Sequence, residues 1–518
     1  MFKKVIKNTS LISLGTLSSR ILGFIRDVLI ARFFGTSDIL EAFLVAFRLP
    51  NIFRSVFAEG FTDSVATPVL SEYSHDREKL YRVGNHLLCI FFIVLSLATF
   101  LGIIFSKYLV MVFAPGYISN LYKFNLAVSF TRITFFYLLL IGVSSAAIAI
   151  LYALKKFFVP AFNPIFLNIT FIPGILFFSS SFKNYILVIC VIVAGVLEVI
   201  FPFISLAREG FRPKIFTKGI YSNFKDALGD TAILRMLRLF LPRVWSSIIY
   251  HLNVFLDTVF ASFTQITGPG ALAGIYYANR LIQFPFALIA LAIAPVIIVD
   301  FSGYHKTGNI VAFKKLFVFS FQNIIFFIIP ISFIFIFMPE GIVDTLFRRG
   351  EFSYESMRTT SSILFFYSFG LFFFCAIKLL VTSFYSLKDT ITPAKTATFS
   401  LLVNGISSAI LMFPLKIGGV ALGTTLAAIF NFILLYYFLV KKIGKINWGD
   451  TRSQLIKVIL LSLTLGIISR FMWFNLFYNK YIKILIIAFM YSSIFLGLGF
   501  ILGFKQIHYL KRWIFKRK

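Results

Sequence analysis

Acidic side chains are scarce in this sequence. It holds 20 Asp and Glu against 50 Lys and Arg. The acids form no cluster and no long catalytic loop, which argues against a membrane enzyme that uses Mg²⁺ or a general base on polyprenyl phosphates. Cysteine is nearly absent. Cys89, Cys190 and Cys375 all lie inside apolar runs, so neither a disulfide framework nor a thiolate metal site is expected. The 5 His show no metal-ligand spacing, and no G-x4-G-K-[ST] loop occurs, so ATP held by this chain is not the energy source. No small-residue cleavage site follows the basic start MFKKVIKN, and that segment is expected to be retained.

What is present is apolar length. Of 518 residues, 59% are hydrophobic and 14% charged, with a mean hydropathy of +0.90. No soluble globular domain has this composition. The expectation is an all-α polytopic membrane protein. The net charge of +30 sits mainly in short loops, which fits orientation and anionic membrane lipids and gives no reason to invoke nucleic acid. Most of the 69 Phe read as lipid-facing filler.

Apolar runs of about 20 residues predict about 14 transmembrane helices, at 8–33, 38–70, 84–106, 126–153, 158–180, 183–206, 232–265, 270–302, 311–337, 358–386, 389–412, 417–441, 453–473 and 481–504. Pro50, Pro68, Pro285 and Pro295 are expected kinks in the long second and eighth helices. Lys and Arg concentrate in alternate loops, such as Arg77, Lys79 and Arg82, then Lys155 and Lys156, then Lys441 and Lys442. That bias places both termini in the cytoplasm. The expected organisation is an N-terminal lobe over 1–206, a cytoplasmic linker over 207–231, a C-terminal lobe over 232–441, and helices 13 and 14 with a basic tail over 442–518.

The two lobes repeat. Asp27-x-Leu29-x-Ala31-x-Phe33 matches Asp257-x-Val259-x-Ala261-x-Phe263, and Arg48-Leu49 matches Arg280-Leu281. Phe113-x-x-Gly116 matches Phe347-x-x-Gly350, and Tyr152-x-Leu154-Lys155-x4-Pro160-Ala161 matches Tyr385-x-Leu387-Lys388-x4-Pro393-Ala394. A nearly constant offset of six helices makes this a parallel repeat, an arrangement in which transporters hold substrate between the halves.

The first two helices carry the chemistry. Residues 8–70 contain Arg20, Arg26, Arg32, Arg48 and Arg54 but no Lys, alongside Asp27, Asp38, Glu41, Glu59 and Asp63. A charge at mid-membrane costs about 2.5–3.5 kcal/mol on insertion scales, so several together point to a wet cavity inside the bundle. Arginine grips phosphate or carboxylate through two parallel hydrogen bonds. An anionic, phosphate-bearing ligand is therefore the first reading. The competing structural reading has Arg32 snorkelling to a membrane face and Asp27 paired with a neighbouring arginine. The second lobe has Leu256 where the first has Arg26, and retains only Arg280 and Arg243 as counterparts.

At this point a resemblance appears. Ser18-Ser19-Arg20-Ile21-Leu22-Gly23-Phe24-Ile25-Arg26-Asp27, Ala42-Phe43-x-Val45-Ala46-Phe47-Arg48-Leu49-Pro50-Asn51 and Arg54-x-x-Phe57-Ala58-Glu59-Gly60 resemble the MurJ (MviN) family of lipid II flippases. Tyr277-Ala278-Asn279-Arg280-Leu281 and Leu346-Phe347-x-Arg349-Gly350-x-Phe352 agree with it. The resemblance implies membership of the multidrug/oligosaccharidyl-lipid/polysaccharide exporter superfamily and a bacterial inner-membrane location. It implies movement of undecaprenyl-pyrophosphate-linked disaccharide-peptide from the cytoplasmic to the outer leaflet for cell-wall synthesis. By motif match the family's cavity arginines fall on Arg20, Arg26, Arg54 and Arg280. Ser19, Asp27, Glu41, Arg48 and Glu59 are candidate supporting residues, with Glu41 at the place of a family Asp. Gln283 departs from a family acid. The last two helices would form a groove for the lipid tail.

The expected mechanism is alternating access driven by membrane potential or an ion gradient, with no cofactor. Moving one charge through 100 mV is worth about 2.3 kcal/mol. Asp257 is the candidate monovalent-cation site, and its alternative is a structural ion pair. Glu198 reads as structural. Lipid II and membrane lipids are the expected partners, with cell-wall synthesis or division machinery as further candidates, and the chain reads as a monomer. The alternative functions are export of another polyprenyl-linked oligosaccharide or small-molecule antiport.

Overall fold

A computed structural model describes residues 2–214 and 219–507. Every described element is helical. The long helices are labelled α1 (Phe2–Phe34), α2 (38–72), α3 (Arg77–Ile104), α4 (Leu121–Ala153), α5 (Phe158–Phe182), α6 (Ile186–Arg208) and α7 (Thr231–Ser262). They continue as α8 (Ala271–Lys306), α9 (Ile310–Phe337), α10 (Tyr354–Ser386), α11 (Ile391–Leu415), α12 (Ile417–Ile443), α13 (Thr451–Asn475) and α14 (Lys480–Ile501). Among the described residues, 11 of these are long and apolar enough to cross a membrane. The other three, α1, α2 and α7, are as long but carry the charges.

The chain divides into two compact units, Met1–Phe263 and Thr264–Lys518. In the first, α3 and α4 pack closely through glycine. A Cβ on Gly142 would lie 1.9 Å from Leu95, and one on Gly102 would lie 2.0 Å from Phe135. Phe61 of α2 seats against Phe91 and Phe240, each at 5.0 Å between ring centroids. Polar links run along the length of α7. Arg235 meets Glu72 at 2.8 Å, and His86 meets Asp230, the N-cap of α7, at 2.8 Å. Further along, His251 meets Ser55, Arg48 donates to the Val254 carbonyl, and the Gly116 N–H donates to Ser262 Oγ. These links explain why the first compact unit runs on through α7 and ends at Phe263.

In the second unit, α11 and α12 approach through Gly419, whose added Cβ would lie 2.0 Å from the Leu411 carbonyl. Helices α13 and α14 attach through α9. Gln322 donates to Thr451, and Tyr491 donates to the Pro330 carbonyl. Tyr277 is fully buried between Phe347 and Phe352.

The repeat holds at the level of single hydrogen bonds. Arg77 and Ile310 start helices of 28 residues, each capped from the preceding side chain, Asp76 or Asn309. Leu121 and Tyr354 start helices of 33 residues, capped by Asn120 and Ser353. Both long helices end alike. Lys155 and Lys388 take left-handed φ of 60° and 58°, while Lys156 N–H returns to the Leu151 carbonyl and Asp389 N–H to that of Phe384. This is a helix stop that usually calls for glycine. The matched glycines differ in role. Gly350 has φ of 58°, whereas Gly116 lets the loop approach Ser262, 2.2 Å from an added Cβ. Helices α2 and α8 both contain a proline, Pro50 or Pro285, and then widen into π-helix at Ser55–Ala66 and Ala287–Leu291. Such widening accommodates broken helical hydrogen bonds.

The corner after each long helix carries an ion pair of reversed polarity. Lys156 pairs with Glu209, just past the end of α6. Asp389 pairs with Lys442, in the last turn of α12, at 2.8 Å. Desolvation raises the Asp389 carboxyl, but the Lys442 ammonium and the Thr392 N–H and hydroxyl outweigh it and hold the group at about 2. A carboxylate held below its ordinary value stabilises the fold above that value and loses the contribution as pH falls through the lowered one. Asp389→Asn should therefore lower the melting temperature of the detergent-solubilised protein at pH 5–7, by the equivalent of at most about 1 kcal/mol for a partly exposed pair. The difference from wild type should shrink between pH 4 and about 2. Melting curves over pH check this, and a pH-independent difference would contradict it.

Candidate functional site

Within the first unit, α1 brings Arg26 and Asp27 into the interior, where they are 8% and 1% exposed. Arg26 donates Nε and Nη2 to Asp27 Oδ1 at 3.0 and 2.8 Å, so the structural reading of Asp27 as an arginine's partner holds. The guanidinium also lies 5.6 Å from the Phe171 ring of α5, a cation–π contact. From Phe171 an aromatic series runs through Phe43 and Phe47 of α2 to Tyr137 of α4. Tyr137 donates its hydroxyl to Glu198 of α6 at 3.1 Å.

Arg54 stands at the π-helical junction of α2 and donates Nε to Asn51 Oδ1 at 2.8 Å. Its charge acts on Glu198 and on Tyr137, and the charge of Arg26 also acts on Tyr137. Arg26 and Arg54 thus share one electrostatic neighbourhood inside this unit, lined by aromatic rings. That is a setting where an anion would be held by guanidinium forks rather than by water.

The other candidates are placed differently. Arg20 is exposed on α1 and has no partner among the described residues. Its neighbour Ser19 fixes α1 to α5 by accepting from Asn168 through both carbonyl and hydroxyl, at 3.0 and 3.4 Å. Arg32 is exposed, with its guanidinium 5.7 Å from the Phe33 ring. Arg48 donates to the Val254 carbonyl at 2.8 Å and to the Thr258 hydroxyl, and so fastens α7 to α2. Asp257 is buried on α7, one residue from that contact. The side chains of Glu59, Asp63 and Arg243 lie outside the described residues. In the second unit, Arg280 is partly buried with its guanidinium 5.1 Å from the Tyr276 ring, and Gln283 is exposed.

Glu41 is fully buried and paired with Lys123, itself 2% exposed. Lys123 also meets Asp38 at 2.9 Å and lies 4.4 Å from the Tyr117 ring. Sequence reading missed Lys123 because it took α4 to begin at 126, whereas the Asn120 cap starts the helix at Leu121. A polar cap residue before an apolar run was the available signal. Tyr137 and Asn168 were also missed, and neither carries a local motif.

The fold is that of multi-pass transporters. One solved structure, a MATE-family multidrug transporter of the MOP superfamily in an inward-facing conformation, matches with a TM-score of 0.67 over 82% of this chain and 94% of that one. At 14% identity it speaks to fold alone. Lipid II flippase MurJ in an inward-closed conformation matches with a TM-score of 0.76 at 26% identity, over 94% and 98% of the two chains. The family model for lipid II flippase MurJ matches residues 30–491, and the chain belongs to that family. A probable lipid II flippase MurJ of Buchnera aphidicola subsp. Acyrthosiphon pisum (strain APS) is 30% identical over 96% of this chain and 97% of its own. The lipid II flippase MurJ of Burkholderia cenocepacia is 29% identical over 96% and 97%. The family is one of transporters rather than catalysts.

The buried Glu41–Lys123 pair can be tested directly. Removing one partner of a buried ion pair strands the other, at a cost of about 3–5 kcal/mol. Lys123→Met should therefore reduce the yield and melting temperature of folded protein. The double variant Lys123→Met/Glu41→Leu should regain most of the loss. If the double variant is no more stable than the single one, the pair does not carry this stability.

Proposed function

We propose that this chain is a lipid II flippase, carrying the undecaprenyl-pyrophosphate-linked disaccharide-peptide from the cytoplasmic to the outer leaflet of the bacterial inner membrane. The observation that carries the reading is the buried Arg26 and the partly exposed Arg54 around one aromatic-lined neighbourhood in a chain of the MurJ family. A pyrophosphate is a multiply charged anion, and a low-dielectric passage requires counter-charge at each stage. In this reading Arg26 and Arg54 supply it, Arg20 and Arg280 are further candidates, and Asp27 holds Arg26 in place until the phosphates arrive. Asp257 is a candidate cation site.

The long helices are all taken as spans, with both termini in the cytoplasm. Transport proceeds by alternating access, and the polyprenyl chain remains in lipid, flanked by α13 and α14. Arg20 and Arg26 are six residues apart, about 9 Å along the helix and about 120° around it, so they engage the anion at different depths. The chain acts as a monomer whose partners are lipid II and the surrounding lipids.

Two outcomes follow. Arg26→Ala, Arg54→Ala and Arg280→Ala should fail to support growth when each is the only copy, with normal membrane levels. Arg26→Lys should lose about tenfold in transport if two-point contact matters. Full complementation by the alanine variants would remove the mechanism. Collapsing the membrane potential should stall appearance of the headgroup outside, since each charge gains about 2.3 kcal/mol per 100 mV. Unchanged exposure would point to a different energy source.

A further inference from the structure

Glu198 is the acid that this reading leaves without a task. It sits on α6 and is 3% exposed. Among the described residues no cation lies within 4 Å of its carboxylate. Its side chain accepts one hydrogen bond, from Tyr137 at 3.1 Å, while the Ser144 hydroxyl takes its backbone carbonyl at 2.6 Å. Among the described residues, the charged or titratable groups acting on it are Arg54 from α2 and Tyr137 from α4, and the α5 segment beside α6 contributes none. Asp389 and Asp27, by contrast, each have an ammonium or guanidinium in direct contact.

A carboxylate buried in this way is held as an anion by a nearby positive charge or is neutralised by a proton. Here the positive charge is Arg54, the group proposed above to receive the substrate's phosphates. We propose that Glu198 exchanges a proton with each cycle of site occupancy: it takes one up when a diphosphate occupies Arg54 and returns it when the diphosphate leaves. The inference rests on the arginine reading of the site. When the anion arrives, the field of Arg54 is cancelled and a second negative charge is added beside Glu198. Water supplies the proton, Glu198 becomes the neutral acid, and no other bond is made or broken. The neutral acid still bonds Tyr137. Release of the anion restores the field of Arg54, and the proton returns to water. By linkage, the anion and the proton strengthen each other's binding equally. The loaded carrier therefore crosses with one less negative charge than the diphosphate alone would give it.

The test uses the purified full-length chain in detergent and farnesyl pyrophosphate as the probe, with titration calorimetry in buffers of different ionisation enthalpy. Wild type should take up as much as one more proton per bound probe than Glu198→Gln, which also subtracts the probe's own titration. From pH 6 to 8 the wild-type affinity should fall more steeply than that of Glu198→Gln, by up to about tenfold per pH unit. Equal proton counts and equal slopes would overturn the proposal. Should Glu198→Gln fail to fold, Tyr137→Phe serves instead. Removing the donor favours the protonated acid, so the pH midpoint of binding should move upward, and an unmoved midpoint overturns the proposal. Arg54→Gln separates the two readings. If it binds the probe like wild type, the arginine site itself is wrong. If it loses binding while wild type and Glu198→Gln take up equal protons, only the proton exchange falls.

Discussion

A guanidinium in the interior of a membrane protein must be held by opposite charge, by aromatic faces or by water. Arg26 has the first two, Asp27 at 2.8 Å and the Phe171 ring at 5.6 Å. Much of the first unit follows from that requirement. Helix α1 is docked to α5 by Asn168 at Ser19, which sets the register that carries Arg26 inward. Phe171, Phe43, Phe47 and Tyr137 form a continuous aromatic lining from α5 through α2 to α4. Arg54 approaches the same lining from the place where α2 turns into π-helix.

The two units use the same helical scaffold for different chemistry. Capping residues, helix lengths and the left-handed lysines at the helix ends recur in both. Charge recurs only in part, as at Asp27 and Asp257 or Arg48 and Arg280. Arg26 has Leu256 as its counterpart, and the ion pair at the helix corner reverses polarity between Lys156–Glu209 and Asp389–Lys442. A duplicated backbone needs the same helix signals twice, whereas side-chain charge is free to diverge between the copies.

Much of this was legible in the sequence. The apolar runs each fall on a long helix, and four short motif matches located a repeat that the cap geometry then reproduced. The clustering of arginine without lysine in the first two helices pointed to buried cations; Arg26 is buried, Arg48 and Arg54 are partly exposed, and Arg20 and Arg32 are exposed. What escaped was pairing at long range. Lys123 reads as an interfacial cation at the edge of an apolar run, yet it closes on Glu41, which lies 82 positions away. Tyr137 reads as an ordinary aromatic until Glu198 is placed opposite it. Arg48 sits in the same motif as the cavity candidates, and only the packing of α7 shows its guanidinium fastened to the Val254 carbonyl. The extent of the first unit through α7 likewise depends on contacts that no local pattern encodes.

The central claim is that these arginines carry a lipid diphosphate across the membrane. The most direct measurement follows labelled lipid II reaching the outer leaflet of cells depleted of this protein and supplied with either wild type or Arg26→Ala/Arg54→Ala. The account predicts that wild type restores exposure of the headgroup while the double variant, at equal membrane level, leaves it on the cytoplasmic side. Exposure restored equally by both would contradict it.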